Sequence, residues 1–326
     1  MEKPRSHRQV KVLLFAVWLA LLVGLYTNRQ TLVDAWKLRG YTPPAEIVDV
    51  AARSSMTEKA RHLWYVNKPQ ILRGEGFTKS CPIATEKTVV LGCYRGGDNG
   101  IFVYGVTDSR LQGVVEVTAA HEMLHAAYDR LSNSERSRVD RLTNDFYRSS
   151  LNDDRVKATI ELYRASDREA LSNEMHSIFA TEVNELPAGL EKYYAQYFTN
   201  RADVVALTSR YQSEFASRRQ KVADYDAQLR SIKATIESSQ VTLAKLQEEL
   251  LAEEKTLDRL RASDVAAYNL SIGEYNQVVN RYNVLLEDTR IQIDRYNETV
   301  ETRNELALEE RELAEALVAK PLPGVR

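Results

Sequence analysis

The sequence contains few of the residues that interrupt regular structure. Its 326 residues include 13 Gly and 8 Pro, too few for a collagenous or low-complexity chain. Between Leu190 and Lys320 there is no Pro, and Gly273 is the only Gly. Because Gly and Pro end helices and mark turns, a stretch of this length without them indicates long helices rather than a sheet domain. Their scarcity therefore separates a mixed front half from a helical back half.

Cysteine and an excess of charge of either sign are also scarce. Two Cys exclude a disulfide-rich miniprotein, and a formal net charge of −2 argues against a nucleic-acid binder. Cys93 lies in the apolar run 88–94, and the turn-like segment 95–100 separates it from a second run, 101–106, which predicts a hairpin. In an exported chain, a disulfide between Cys81 and Cys93 would join the preceding loop to this hairpin. Two buried free thiols are the alternative, and no Cys-x-x-Cys pair favours metal ligation.

An uncharged apolar run covers residues 12–26. Four basic residues precede it: Lys3, Arg5, Arg8 and Lys11. A basic start followed by an apolar run is typical of export or membrane insertion. The run is shorter than the about 20 residues that a spanning helix needs, but its flanks can extend it to Asn28. We expect an uncleaved signal anchor over residues 12–28, with residues 1–11 in the cytoplasm and the rest exported; a cleaved signal peptide is the alternative.

Short elements follow the apolar run. Residues 29–53 include Pro43 and Pro44 and predict a membrane-proximal linker, and residues 54–200 predict a small α+β domain. Within the domain we expect a loop over 73–77, a short strand over 114–117, and helices over 55–66, 118–131, 132–148, 153–164 and 169–183. Capping residues support several of these helices, with Thr118 and Asp167 as two of the predicted N-caps.

His121-Glu-Met-Leu-His125 is the sharpest chemical feature of the sequence. Residues four apart share one face of a helix, so both imidazoles can reach one zinc ion at about 2.0–2.1 Å. Glu122 lies beside them, where a general base can take a proton from water. Small uncharged residues flank the motif, as a buried metal helix requires. Two solvated His on a surface helix, and a metal site that has lost its activity, are the alternatives.

A zinc enzyme of this type needs a third protein ligand and an open position. His121-Glu-x-x-His125-Ala-x-x-Asp129 resembles the zincin metallopeptidases, especially the gluzincins, and Asn173-Glu174 matches an Asn-Glu pair in that family. The resemblance implies that Glu174 is the third ligand and that Asp129 orients a ligand His. The layout also resembles uncharacterised membrane-anchored zincin-like proteins of candidate-phyla bacteria, which implies an exported protease-like domain.

Four further residues of this region are candidate site residues whose roles the sequence leaves undecided. Glu182 and Glu169 are alternative third ligands. The segment that begins at Glu169 has a residue pattern similar to that of the ligand segment around Glu174, one turn earlier. His176 is a metal ligand, a hydrogen-bond donor to the transition state, or a core residue. Tyr163 either polarises a carbonyl group or is a packed Tyr.

The back half, residues 201–320, carries two sets of apolar heptads. They recur at Val222, Leu229, Ile236, Leu243, Leu250 and Leu257, and then at Ile272, Val279, Leu286, Ile293 and Val300. The frame of this coiled-coil seam slips between the two sets, near 261–264 and 271–273. We therefore predict two helices folded into an antiparallel hairpin; one continuous helix dimerising in parallel is the alternative. An Asn row flanks the second seam at Asn269, Asn276, Asn283, Asn297 and Asn304.

These features together predict a single-pass membrane protein whose catalytic domain faces outside the cytoplasm. The expected function is a zinc metallopeptidase with Zn²⁺ as cofactor and a peptide or protein as substrate. The coiled-coil arm is expected to bind a cell-envelope protein or a second copy of the chain. A non-catalytic cell-envelope scaffold and a zinc amidase acting on a cell-wall bond are the alternative functions.

Overall fold

The computed structural model describes residues 7–82, 90–97 and 100–318, and the side chains of residues 7–10 and 12 are not described. The described chain is mostly helical, with one small sheet and two long helices at its C-terminal end. It divides into a first unit that runs to Tyr211 and a second unit, Gln212–Ala316. The α+β expectation thus holds in a helix-dominated form.

The elements before the His121–His125 motif are α1 (His7–Thr27), α2 (Arg29–Leu38), α3 (Ala45–Arg53), α4 (Glu58–Val66), β1 (Gln70–Leu72), α5 (Gly74–Ser80), β2 (Gly92–Arg95) and β3 (Gly100–Tyr104). The elements that follow are α6 (Val114–Asp129), α7 (Asn133–Ser149), α8 (Asp154–Ser166), α9 (Leu171–Glu182), α10 (Ala188–Tyr194), α11 (Arg201–Ser263) and α12 (Val265–Ala316).

The apolar helix α1 does not by itself meet the requirements for crossing a membrane. Of the described helices, none is alone long and apolar enough, whereas the segments Leu13–Thr27 and Arg29–Leu38 meet the test together, with a bend of 59° between them. The signal anchor over residues 12–28 therefore stays a prediction.

Most of the segment 29–53 is helical, in α2 and α3, in contrast to the linker that its two prolines predict. In α3, the apolar side chains of Ile47, Val50 and Ala51 are buried in the main core. Trp64 of α4 is fully buried and donates a hydrogen bond from its ring nitrogen to the Ile47 carbonyl. Pro44 lies at the N-cap of α3, where a residue without N–H does not interrupt the helix, so it begins an element of the core.

The predicted hairpin is present, and a short third strand completes its sheet. β2 pairs antiparallel with β3, and β1 pairs parallel with β3, so that β2 is an edge strand. The sequence analysis missed β1, because three residues after a proline carry too little periodicity. The expected loop over 73–77 lies almost entirely within helix α5. Cys81, just after α5, forms a disulfide with Cys93 of β2, with 6.0 Å between their Cα atoms.

The strand predicted over residues 114–117 is wrong, because α6 begins at Val114. Gly113 occupies the N-cap with φ 99° and leaves no room for a Cβ, which would stand 2.9 Å from the Cβ of Leu207. Val114 and Val117 are buried in the first turn of the helix. Strand propensity of Val is weak against such burial. Because α6 is buried on nearly every side, its sequence also lacks the apolar stripe that marks a surface helix.

The helices after α6 follow their capping signals closely. Ser132 and Glu135 form the capping box of α7, and the Asp153 carboxylate accepts a hydrogen bond from the backbone N–H of Val156 at the start of α8. Asp167 is not the N-cap of α9: its carboxylate accepts from Ala170 N in the turn before that helix. Glu169 therefore lies in this turn, outside α9.

The second unit is a pair of antiparallel helices. Within it α11 and α12 are joined by ion pairs whose partners are nearly equidistant from Asp264. The pairs are Arg219–Glu310, Arg218–Glu309, Asp226–Arg303 and Glu249–Arg281. Asp264 ends α11, and its carboxylate accepts from the backbone N–H groups of Ala266 and Ala267 at the start of α12. The break thus lies where the heptad frame slips, and the Asn row is exposed.

Candidate metal centre

Two helices bring the predicted ligands together. His121 and His125 lie one turn apart on α6, with their ring centroids 4.7 Å apart, and Glu174 lies in the first turn of α9. Four alanines of α6 are buried almost completely: Ala119, Ala120, Ala126 and Ala127. Small side chains of this kind let neighbouring elements, α9 among them, pack closely on α6, and this packing brings the Glu174 carboxylate within reach of the two imidazoles.

The spacing of the three side chains fits a single metal ion. Nε2 of His121 lies 3.6 Å from Oε2 of Glu174, and Nε2 of His125 lies 3.6 Å from Oε1. Two ligand atoms at 2.0–2.1 Å from a tetrahedral zinc ion would lie about 3.3–3.4 Å apart. Ligand atoms of all three residues lie within 4.8 Å of one another. These distances exceed ordinary hydrogen-bond lengths but suit side chains that share an ion.

An unpaired polar atom supports the same interpretation. Among the described residues, Oε2 of Glu174 is buried and has no hydrogen-bond partner. A buried carboxylate oxygen without a partner is costly, and a cation between it and the imidazoles would remove that cost. Burial raises the pKa of Glu174, but the neighbouring imidazoles of His121 and His125, with Tyr163 nearby, hold it below its ordinary value. The carboxylate is thus ionised, as a metal ligand must be.

Glu122 is buried against strand β2. Burial raises the pKa of Glu122 to about 7, and the charge of Glu174 acts in the same direction. The charge of His125 and a hydrogen bond from the backbone N–H of Tyr94 oppose this rise. The site therefore holds a carboxyl group whose proton affinity is near neutral pH, which suits proton transfer.

The three predicted ligands and Glu122 line one open cleft of about 470 Å³ in the first unit. Edge strand β2 forms one wall through Gly92, Cys93 and Tyr94. Tyr104 N donates to the Leu91 carbonyl, and residues of an antiparallel strand alternate in direction, so the backbone polar groups of Gly92 and Tyr94 point away from β3. Within the described part of the chain, the cleft thus combines a candidate metal site with the edge strand of the sheet.

Neither of the two alternative third ligands lies beside the His pair. Glu182 lines the same cleft, but its carboxylate accepts a hydrogen bond of 2.5 Å from Arg155 Nη1. Glu169 is exposed in the turn before α9. Neither belongs to the group of described side chains that could share an ion. The structure therefore places Glu174, and not these two, beside the His pair, and metal ligation itself stays a prediction.

Three further predicted residues have clear positions. Tyr163 lines the cleft near Glu174; burial, with the charge of that carboxylate, raises the pKa of Tyr163. Asp129 accepts a hydrogen bond from the Tyr94 hydroxyl at 3.2 Å. His176 is fully buried, with its Nε2 3.0 Å from the hydroxyl of Tyr193, and burial lowers the pKa of His176 to about 3. His176 is therefore a neutral core residue.

Sequence reasoning missed two residues beside the motif. Ser177 Oγ lies 3.4 Å from Nδ1 of His125, the nitrogen that remains free when Nε2 binds a metal. Gly92 touches Glu122 so closely that a Cβ there would lie 2.8 Å from its Oε1. The spacing of Ser177 from Glu174 does not distinguish it from other Ser residues, and Gly92 is, in the sequence, only one residue of a predicted strand. A role at the site could be assigned to either residue only once the packing of α6 against its neighbours was known.

The chain matches no family model, no curated protein and no solved structure. The resemblance to zincins therefore rests on the motif residues of α6 and α9, and function has to be argued from the site itself.

Proposed function

We propose that this chain is a membrane-tethered, zinc-dependent metallopeptidase. The observation that carries the proposal is the arrangement of His121, His125 and Glu174 around one point of an open cleft, with Glu122 next to them. Two imidazoles and one carboxylate with an open position are the ligand set of catalytic zinc sites in several peptidases. Structural zinc sites are instead closed by four protein ligands.

The side chains of the site have different tasks in peptide hydrolysis. A Zn²⁺ ion at the site supplies a Lewis acid that polarises a carbonyl group and lowers the pKa of water toward about 7. Glu122 accepts the proton of the attacking water at its carboxylate and delivers it to the leaving amine. The Glu174 carboxylate would hold the ion together with His121 and His125, since each of its oxygens faces one imidazole, and Tyr163 lines the cleft beside it.

Strand β2 favours an extended peptide as the substrate. The outward-facing N–H and C=O of Gly92 and the C=O of Tyr94 can pair with a peptide that adds to the sheet edge. Such pairing uses main-chain hydrogen bonds and sets the scissile amide parallel to β2, above Glu122. A cell-wall amide lacks a regular strand backbone, so this edge favours a peptidase over a cell-wall amidase.

The remaining regions complete the proposed arrangement. Helix α1 presents a row of exposed apolar side chains, among them Leu14, Phe15 and Trp18, which a bilayer would cover. We assign it the membrane tether, with the cleft outside the cytoplasm, where the Cys81–Cys93 disulfide is stable. The helical hairpin Gln212–Ala316 offers a long exposed surface for a substrate or a cell-envelope partner.

The proposal is tested with the full chain in detergent or vesicles, after loading with Zn²⁺. We expect one zinc per chain and cleavage in a peptide library for the wild type, and zinc retained with activity reduced about 10²–10⁴-fold in Glu122→Gln. The matched control is Glu169→Gln, an exposed carboxylate outside the cleft, which should keep both properties. Stoichiometric zinc with equal activity in wild type and Glu122→Gln would remove the role of Glu122. Absence of zinc from both would favour the non-catalytic scaffold.

A further inference from the structure

Helix α2 has the reverse of the usual amphipathic orientation. Its acidic residue Asp34 is buried at 4% exposure, whereas Leu32, Val33 and Trp36 are 51%, 50% and 72% exposed. With about 3.6 residues per turn, these three side chains and Arg29 share one side of the helix, opposite Asp34. A helix on the surface of a water-soluble domain buries its apolar side and exposes its polar side. Something apolar therefore has to cover the outer face of α2.

The inner face of α2 is fixed to the metal centre by Asp34. Its two carboxylate oxygens accept hydrogen bonds from Nη1 and Nη2 of Arg130 at 2.7 and 2.9 Å, and Nε2 of His62 lies 2.9 Å away. Such a bidentate pair sets orientation as well as position. Arg130 directly follows α6, which carries His121 and His125. The polar contact thus connects α2 to the helix of the candidate metal site.

The composition of the outer face points to a lipid interface as the covering surface. α2 follows the apolar helix α1 after a single residue, with a bend of 59°, so its axis turns away from that of α1. The guanidinium of Arg29 stacks over the ring of Tyr26 at 5.2 Å, and Trp36 lies two turns further along the same side of α2. Trp, Tyr and Arg next to exposed aliphatic side chains are typical of the boundary between headgroups and acyl chains.

We propose that α2 lies along the membrane interface, with Leu32, Val33 and Trp36 in the lipid and Asp34 holding the metal-centre domain from the other side. The inference rests on the proposed membrane tether, since α2 can reach a bilayer only if α1 enters it. α2 then acts as a bracket: because Asp34 binds Arg130, the orientation of α6 and of its cleft relative to the bilayer is fixed. The tether is then connected rigidly to the domain where α1 meets α2, and not through a flexible linker.

The test measures quenching of tryptophan fluorescence in the full chain, reconstituted in phosphatidylcholine vesicles that carry a nitroxide high or low on the acyl chain. Trp18→Phe leaves Trp36 and the core residue Trp64, Trp36→Phe leaves Trp18 and Trp64, and the double variant leaves Trp64 alone. We expect Trp18 to be quenched most by the deep label. We expect Trp36 to be quenched about twofold more by the shallow label than by the deep one, and Trp64 by neither.

A second variant separates lipid contact from loss of folding. Leu32→Gln with Val33→Gln, in the Trp18→Phe background, removes apolar side chains that are already exposed, so the fold should persist while quenching of Trp36 falls. Leu162→Gln is the matched control, because Leu162 is 57% exposed on α8, away from α2. Quenching of Trp18 without quenching of Trp36 would overturn the bracket and leave the tether intact. Quenching of neither would overturn both, and shielding of Trp36 that follows self-association would identify a second copy as the cover and overturn the lipid assignment.

Discussion

A Cβ atom on Gly92 would stand 2.8 Å from both Cγ and Oε1 of Glu122, and 2.6 Å from Cγ2 of Thr118. Strand β2 therefore reaches the face of α6 that carries Thr118 and Glu122, because residue 92 has no side chain. The same contact fixes the wall of the cleft and the position of the proposed base. Because of this contact, one methyl group added at residue 92 would change the distance between β2 and α6.

We predict that Gly92→Ala folds and binds zinc but loses most of its activity. The added methyl group has to displace β2 or the Glu122 side chain by several tenths of an ångström, whereas His121, His125 and Glu174 are not touched. A misplaced base of this kind costs about 10²-fold in kcat/KM. Gly76→Ala is the control, since nothing lies within 4 Å of a Cβ at that position. Full activity in Gly92→Ala would show that the close contact has no catalytic consequence.

The identity of the third ligand leads to a prediction about zinc content. Glu174→Gln should lower zinc affinity by at least about 10²-fold, because the neutral amide removes one of three ligands and the only charged one. Glu182→Gln should keep its zinc, since its carboxylate faces Arg155, and Glu169→Gln should keep it too. Metal content after dialysis against a weak chelator distinguishes the three variants. Loss of zinc from Glu182→Gln alone would move the ligand assignment to that residue.

The orientation of His125 gives a prediction in which structure and resemblance differ. Ser177→Ala should weaken zinc binding about tenfold, because the free ring nitrogen of His125 loses its nearest partner. Asp129→Asn should leave zinc affinity unchanged, since that carboxylate bonds to the Tyr94 hydroxyl and not to a His. Competition with a chromogenic chelator measures both affinities. The reverse ranking, with Asp129→Asn the weaker binder, would restore the orienting role that the zincin resemblance implies for Asp129.

Short spacing along one helix explains which residues of the site could be predicted from the sequence. His121, Glu122 and His125 lie within one and a half turns of a single helix, so their relative placement follows from helix geometry alone. Glu174 is 49 positions beyond His125, and only the packing of α9 on the alanines of α6 selects it over Glu169 and Glu182. Propensity failed for the same reason at residues 114–117, where burial in the core outweighs the strand preference of Val.

Long-range features of the fold divide in the same way. The hairpin of α11 and α12 was predicted because a slip in the heptad frame favours a break, although a continuous helix can also absorb such a slip; the break occurs at Asp264. The core position of α3 was not, since nine residues after two prolines resemble a linker until a partner surface is known. The orientation of α2, with its acidic residue buried and its apolar residues exposed, could not be predicted either. The sequence alone indicates that Asp34 is a surface residue, because its partner Arg130 lies 96 positions later.

The capping box of α7 supplies the prediction for pH. Hydrogen bonds from the Ser132 hydroxyl and its backbone N–H lower the pKa of Glu135 from 4.5, so this carboxylate stabilises the folded chain only when it is ionised. Its contribution is present above the unfolded-state pKa and is lost as the pH falls through the lower pKa of the folded state. Glu135→Ala should therefore reduce the free energy of unfolding by about 0.5–1 kcal/mol near neutral pH and by less near pH 3. Urea unfolding of both proteins at the two pH values measures the difference, with the exposed Glu169→Ala as control. A difference that grows on acidification would mean that Glu135 is held by something other than its cap.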